Sequence, residues 1–193
     1  MRERLSSSGH LSFMAAVYHA GMDGIAWAAS AMSAAQARLE IAAQNLANGS
    51  TDGFRRSVAR GSLDARGVRI ESVPYGGQGP LRRTGRALDR AIVGSGAFVL
   101  RGAGGRTVRT RSGAFTRDRF GTLRDDLGRA LVRTSLGPGS YVRSGFLESS
   151  NVDAVGEMVN VLEAERSFET AQKVLTAIDQ SAERASSKMS EFK

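Results

Sequence analysis

Two seven-residue apolar repeats, one near each end of the chain, constrain its fold more than any other feature. Near the start, Ile25, Met32, Leu39 and Leu46 recur every seven residues, with Ala28, Ala35 and Ala42 three places after the first three. Near the end, Val161, Phe168, Leu175, Ala182 and Met189 form one series, and Ala164, Ala171, Ile178 and Ala185 form the column beside it. These are the a and d positions of a helical seam, which has to be covered by a partner. The alanines leave little bulk on the first helix, so a helix carrying Phe168 and Leu175 can approach it closely. Each terminal helix is therefore the other's most economical partner, although an amphipathic helix packed on a globular core shows the same period.

The segments between these repeats have a different texture. Residues 1–22 read as a flexible N-terminal lead, serine-rich from Ser6 to Ser8 and without a sustained period. With Asp23 as N-cap, the first helix is expected to run to about Ala47, where Asn48, Gly49, Ser50, Asp52 and Gly53 stop it. All three prolines and seventeen of the twenty-three glycines fall between Phe54 and Gly145, which is strand-and-turn composition. Val68 and Ile70 alternate with polar residues, Ala97 to Arg101 and Thr107 to Thr110 flank a GAGGR turn, and Leu123 and Leu131 to Val132 mark further short strands. After Asn151, read as a cap, a second helix is expected from about Val152 to Ser186 or beyond. The expected fold class is α+β, with long N- and C-terminal helices paired as a coiled-coil stalk and a small central β module. Its segments are 1–22 (lead), 23–56 (first stalk helix and Gly-Phe turn), 57–145 (β-rich module) and 146–193 (second stalk helix).

Charge separates the same regions. The formal net charge is +8, yet Arg55 to Gly145 holds nineteen arginines, no lysine and six acids, or +13, leaving −5 for the two ends. A basic middle favours polyanionic partners through long-range steering without naming one, and an arginine bias also follows from genomic composition. The aromatics Phe98, Phe115, Phe120 and Tyr141 are scattered, and Phe98 and Phe115 have apolar neighbours as core residues do, so a stacking platform for single-stranded nucleic acid is not indicated. No apolar run approaches the roughly 20 residues that span a bilayer, and Leu11 to Met22 lacks the continuous apolar stretch of a secretory signal.

Catalytic signals are weak. Cysteine is absent, and both histidines, His10 and His19, lie in the lead. Glu163 and Glu165 stand two apart on a helix and face different directions, so no metal-ligand spacing is present. GSGAFV at Gly94 to Val99 lacks the third glycine of a phosphate loop and runs on into a strand-like segment. Asp125 and Asp126, beside Gly121 and Gly128, read as a hairpin corner. The sequence thus offers no catalytic, cofactor or metal site.

Read together, the two ends resemble the flagellar basal-body rod and hook proteins of bacteria. AQNLANGSTDGFRR, Ala43 to Arg56, is similar to that family's asparagine-rich helix end followed by Thr-x-Gly-Phe, with Asn45, Asn48, Thr51, Gly53 and Phe54 in the motif positions. GFLESSNVDAVGEMVNVLEAERSFETAQKVLTAIDQ, Gly145 to Gln180, is similar to the family's C-terminal entry, through Leu147, Glu148, Asn151, Val152, Glu157, Met158, Arg166 and Phe168. TGRALDRAIVGSGAFVL and TRSGAFTRDRFGTLRDDLG resemble the β module of the rod proteins more than that of the hook. Ala171 and Gln172 depart from the asparagine common in the C-terminal motif, and the middle is shorter than in distal-rod proteins.

The resemblance implies a self-assembling, non-enzymatic rod subunit in the flagellar basal body, part of a hollow axial shaft that transmits torque and passes exported subunits. It implies partners among its own copies, other rod and hook axial proteins and the flagellar export apparatus, with surrounding rings or wall polymer outside, and no specific nucleic acid. Polymer contacts would come from residues 25–47 and 152–190, including Ile25, Met32, Leu39, Leu46, Val161, Phe168, Leu175 and Ile178. Physically, Asn45 and Asn48 suit loose carbonyls or left-handed backbone at a helix end, Gly53 a sharp turn, and Phe54 a plug over the seam. Ser149, Ser150 and Asn151 suit capping, and Glu157 the helix dipole. The alternative reading is a basic module that binds cell-wall polymer or nucleic acid and uses its helices only to dimerise.

Overall fold

The computed structural model describes residues 7–64 and 67–190, with side-chain positions over 24–64 and 67–187. The protein is α+β, with a helix at each end of a run of strands. Helix α1 is Ser7–Ala47 and α2 is Ala154–Ser190. Between them lie β1 (Ser57–Asp64), β2 (Gly67–Pro74), β3 (Leu81–Arg83), β4 (Arg90–Val93), β5 (Gly96–Arg101) and β6 (Thr107–Thr110). They are followed by β7 (Thr116–Arg117), β8 (Leu123–Arg124), β9 (Ala130–Leu136), β10 (Tyr141–Ser144) and β11 (Phe146–Glu148). These elements form two compact units, one of residues 1–41, 59–72 and 159–193, the other of residues 42–58 and 73–158.

Among the described side chains of the first unit, the buried positions of both helices are alanines: Ala28, Ala34 and Ala35 on α1, Ala164 and Ala171 on α2. Met32, Leu39, Val161, Phe168, Leu175 and Ile178 are half-buried. A Cβ placed on Gly24 would stand 3.2 Å from Ile178 Cδ1, so the side chain of one helix reaches the backbone of the other at that level. Ile25, expected in the seam, is instead 40% exposed, and Trp27 beside it is exposed too. Close approach is set by the smallest side chains, and the inward column of α1 here is Ala28 and Ala35. The start of β2 rests on α1, where the Val68 amide donates to Ser30 Oγ at 3.4 Å.

Two boundaries differ from the sequence reading. Helix α1 begins at Ser7 rather than Asp23, so the stretch expected as a lead is helical from Ser7. Its alanines, leucine and methionines are good helix formers, and each interior glycine costs only about 1 kcal/mol against alanine. The side chains of His10, His19 and Met189 lie outside the described positions. At the other end, Phe146–Glu148 forms β11 and pairs with β3, so the segment assigned to the second helix opens as a strand. Helix α2 starts at Ala154, because Asp153 supplies the cap: the Val155 amide donates to Asp153 Oδ1 at 3.2 Å.

The second unit is built on an antiparallel sheet ordered β6-β5-β9-β8-β7, with the two-stranded pairs β4–β10 and β3–β11 beside it. Its core is Ile92, Phe98, Leu100 and Phe115, against which Leu123, Leu131 and Val142 pack. Phe98 and Phe115 meet edge to face, with ring centroids 5.2 Å apart, an arrangement favoured by the ring quadrupoles. Strands β5 and β6 lie where the segments flanking the GAGGR turn place them. Asp125 begins the β8–β9 turn, accepting the Gly128 amide on its carbonyl at 3.0 Å and the Arg129 amide on Oδ1 at 2.7 Å. Phe120, by contrast, is 77% exposed at the tip of the β7–β8 turn.

Candidate functional site

Within the second unit, the end of α1, the segment after it, β11 and the start of α2 are tied together by motif residues. Asn45 is buried in the last turns of α1. Its Nδ2 donates to Ser57 O at 2.7 Å, and its Oδ1 accepts the Ser57 amide at 2.8 Å. One side chain thus closes both hydrogen bonds of a backbone position twelve residues away, as a neighbouring strand would. Asn48 acts locally, donating from Nδ2 to Gln44 O at 2.9 Å, a carbonyl that its own backbone amide also reaches at 3.2 Å. No non-glycine residue described has a positive φ, so neither asparagine adopts left-handed backbone. Thr51 Oγ1 donates to Asn48 Oδ1 at 3.3 Å and completes the turn.

Asn151, expected as a cap for α2, does something else. Its Oδ1 accepts the Arg56 amide and its Nδ2 donates to Gly77 O, both at 2.7 Å. Asn45 and Asn151 therefore hold consecutive residues, Ser57 and Arg56, by their backbone. Arg56 Nη1 lies 3.8 Å from Glu157 Oε1, and the Arg56 guanidinium stacks 5.0 Å from the Tyr75 ring centre. Glu157 is buried, so it faces a cation of the same unit rather than only the helix dipole. Ser150 Oγ accepts the Val152 amide at 3.3 Å.

Glu148 is the centre of this knot. Its backbone carbonyl accepts the Gly53 amide at 2.6 Å, its Oε1 the Gly79 amide at 3.1 Å, and its Oε2 Arg111 Nε at 2.6 Å. Arg111 also donates to Ile92 O at 2.9 Å and Gly96 O at 3.3 Å, so the pair is hydrogen-bonded on both sides, as burial requires. Gly53 has φ +72, and a Cβ there would overlap the Ser112 backbone nitrogen. Only glycine lets the turn lie against Arg111 and Ser112. Arg55 stands beside the pair. Burial pulls its guanidinium below the usual arginine range, the like charge of Arg111 adds to this, and Glu148 opposes it.

The structure thus brings together Asn45, Gly53, Glu148, Asn151 and Glu157. Phe54, Leu46 and Val152 are half-buried nearby in the chain, Leu147 is buried, and Met158 is 53% exposed. Arg166 and Phe168 lie in the first unit. Arg111, the partner of Glu148, was not singled out by sequence, since nothing in the chain distinguishes it among nineteen arginines. Of the loop arginines, Arg82 pairs with Asp52 at 2.8 Å and Arg86 with Asp89 at 2.8 Å. Among the described residues, no group of His, Cys, Asp or Glu could hold a metal ion, and no helix is long and apolar enough to cross a membrane.

The two halves of this knot are also the two segments that match known proteins. Residues 25–55 match the flagella basal body rod protein family, and residues 143–188 match the flagellar basal body rod FlgEFG protein C-terminal family. The chain belongs to the flagellar rod and hook family. It is accordingly a structural protein of the bacterial flagellum's basal body, in a family that is not enzymatic.

Among individual family members, it is 27% identical to the flagellar basal-body rod protein FlgG of Agrobacterium fabrum, over 83% of this chain and 97% of that one. It is 35% identical to the flagellar hook protein FlgE of Brucella abortus, over 72% of this chain and 37% of that one. It is also 35% identical to the rod protein FlgF of Rhizobium meliloti, over 52% of this chain and 45% of that one. The chain spans between 25% and 37% of the length of the hook proteins it matches. The FlgG alignment runs over 254 positions against a chain of 193 residues, so it leaves gaps opposite this chain. With both family matches at the ends, this agrees with a shortened middle.

Proposed function

We propose that this flagellar axial structural subunit polymerises with its own copies and with other rod and hook proteins into the hollow shaft that transmits torque and passes exported subunits. The terminal helices supply the polymer contacts, pairing as a coiled-coil stalk, and the β module forms the outer layer. The observation that carries this reading is the knot at Glu148, which locks the two segments matched by the family to each other and to the β module. A shaft needs such a joint, because torque applied to the helices has to reach the outer layer without melting the connection. The exposed apolar row on α2, Val155, Met158, Val159 and Leu162, adds surface that polymerisation would cover.

Electron microscopy of the purified protein, alone and with a FlgG-type partner, tests this. Tubes or helical filaments are the expected result. Discrete dimers that bind wall polymer or DNA at high salt would instead favour the basic binding module. Motility and secretion assays of a deletion strain then separate a shaft role from an export role, including recognition of the N-terminal segment by the export apparatus.

A further inference from the structure

Beside the knot, and not part of it, the second unit has an open depression of about 520 Å³ lined by Arg83, Ala87, Arg143, Phe146 and the glycines 85 and 145. Arg143 lies flat on Phe146, its guanidinium carbon 3.8 Å from the ring centre. Arg83 is the direct cross-strand partner of Phe146 in the β3–β11 pair, so its side chain leaves the sheet on the same face. Neither arginine has a carboxylate partner among the described residues, unlike Arg82 and Arg86 on the same segment. Two unneutralised cations therefore converge on one aromatic floor.

We propose that this depression is a binding site for the carboxylate of an aspartate or glutamate side chain presented by a partner polypeptide. An arginine stacked on an aromatic ring keeps its N–H edge free and pre-oriented, which suits bidentate capture of a carboxylate. Phe146 and Ala87 give an apolar rest for the methylene stem of the acid. A phosphate is a poorer fit, since the main-chain amides at the rim are already used. Thr84 and Gly85 both donate to Gly145 O, at 2.9 and 3.2 Å, and Gly145 donates to Asp89 O at 2.8 Å. No lysine and no helix start lines the depression, so a dianion would meet two guanidinium groups and the hydroxyl of Ser144, which also lines it. The site goes beyond the axial-subunit reading and stands without it.

The test is a titration of the unpolymerised protein with acetyl-pentaglutamate amide at physiological salt, followed by the NMR shifts of the Phe146 ring. Saturable binding is expected, weakened at least tenfold by Arg83→Gln with Arg143→Gln and several-fold by Arg143→Lys, which keeps the charge and loses the planar fork. Arg109→Gln, exposed in β6 and outside the lining, is expected to change the affinity less than twofold. All these positions are exposed, and thermal melts of the variants should match the parent, so loss of binding is not loss of fold. The proposal is overturned if Arg109→Gln weakens binding as much as the pair, if Arg143→Lys binds as well as the parent, or if inorganic phosphate binds more tightly than the peptide. Absence of tubes with intact peptide binding would count against the shaft and not against this site.

Discussion

Arg111 and Glu148 form a fully internal ion pair: Nε and Oε2 are 2.6 Å apart, and the two residues are 4% and 2% exposed. The pair is costly to desolvate, and its value lies in geometry. Through one carboxylate, β11 is fixed to the loop at Gly79 and to the segment that carries Arg111, while the neighbouring carbonyl receives Gly53.

Glu148→Gln should therefore be severely destabilising. It leaves the Arg111 charge buried against an amide, and breaking one side of such a pair costs about 3–5 kcal/mol. Urea denaturation followed by tryptophan-independent far-UV circular dichroism measures it. A midpoint unchanged from the parent would show that solvent already reaches Arg111.

Asn45→Asp and Asn45→Ala separate the two hydrogen bonds to Ser57. Aspartate keeps the acceptor for the Ser57 amide and loses the donor to Ser57 O, whereas alanine loses both. Losses of about 1–3 kcal/mol are expected for each buried group left unpaired. Hydrogen exchange at the Ser57 amide should rise strongly in the alanine variant and less in the aspartate variant. Equal exchange in both would mean the side chain does not hold that amide.

Leu39→Asp places a charge at a half-buried position of α1 and should reduce local stability by a few kcal/mol, with assembly lost before helicity. Sedimentation and circular dichroism read the two effects apart. Glu40→Gln, exposed one residue on, is the silent control. Polymerisation of the Leu39 variant at parental concentration would remove this residue from the contacts proposed for the shaft.

The β7–β8 turn should respond to acid. Asp118 is held below the ordinary aspartate value of 3.8 chiefly by its hydrogen bond from Arg124; desolvation opposes this, and the amides of Thr122 and Phe120 add to the lowering. A depressed carboxylate stabilises the fold above its unfolded value and loses that contribution as pH falls through the folded one. Protection of the Phe120 and Thr122 amides, taken relative to their unstructured exchange rates at each pH, should thus fall below pH 3.8 and be level above it. Asp118→Asn should show the lowered protection at neutral pH, and retention of full protection there would mean the charge is not what holds the turn.

The local elements were legible in the sequence because their signals are local. Seven-residue spacing marked the helices, a glycine turn with short segments on either side marked β5 and β6, and Phe98 and Phe115 stood among apolar neighbours. Helix ends were less so: Asp153 and Asn151 both suit a cap, and the choice between them fell to tertiary contacts. Asn151 is taken up by Arg56, 95 residues away, and Gly77, 74 away; Asn45 is taken up by Ser57 rather than by its own helix end. An amide side chain bonds whichever backbone group would otherwise be buried unpaired, and only the folded chain decides which groups those are. The same holds for Arg111, chosen from nineteen arginines by its position beneath Glu148. Composition and period thus determined the helices and the β-rich middle. Tertiary structure decided which polar residues bind the parts together, because burial turns an ordinary asparagine or arginine into one that must find a partner.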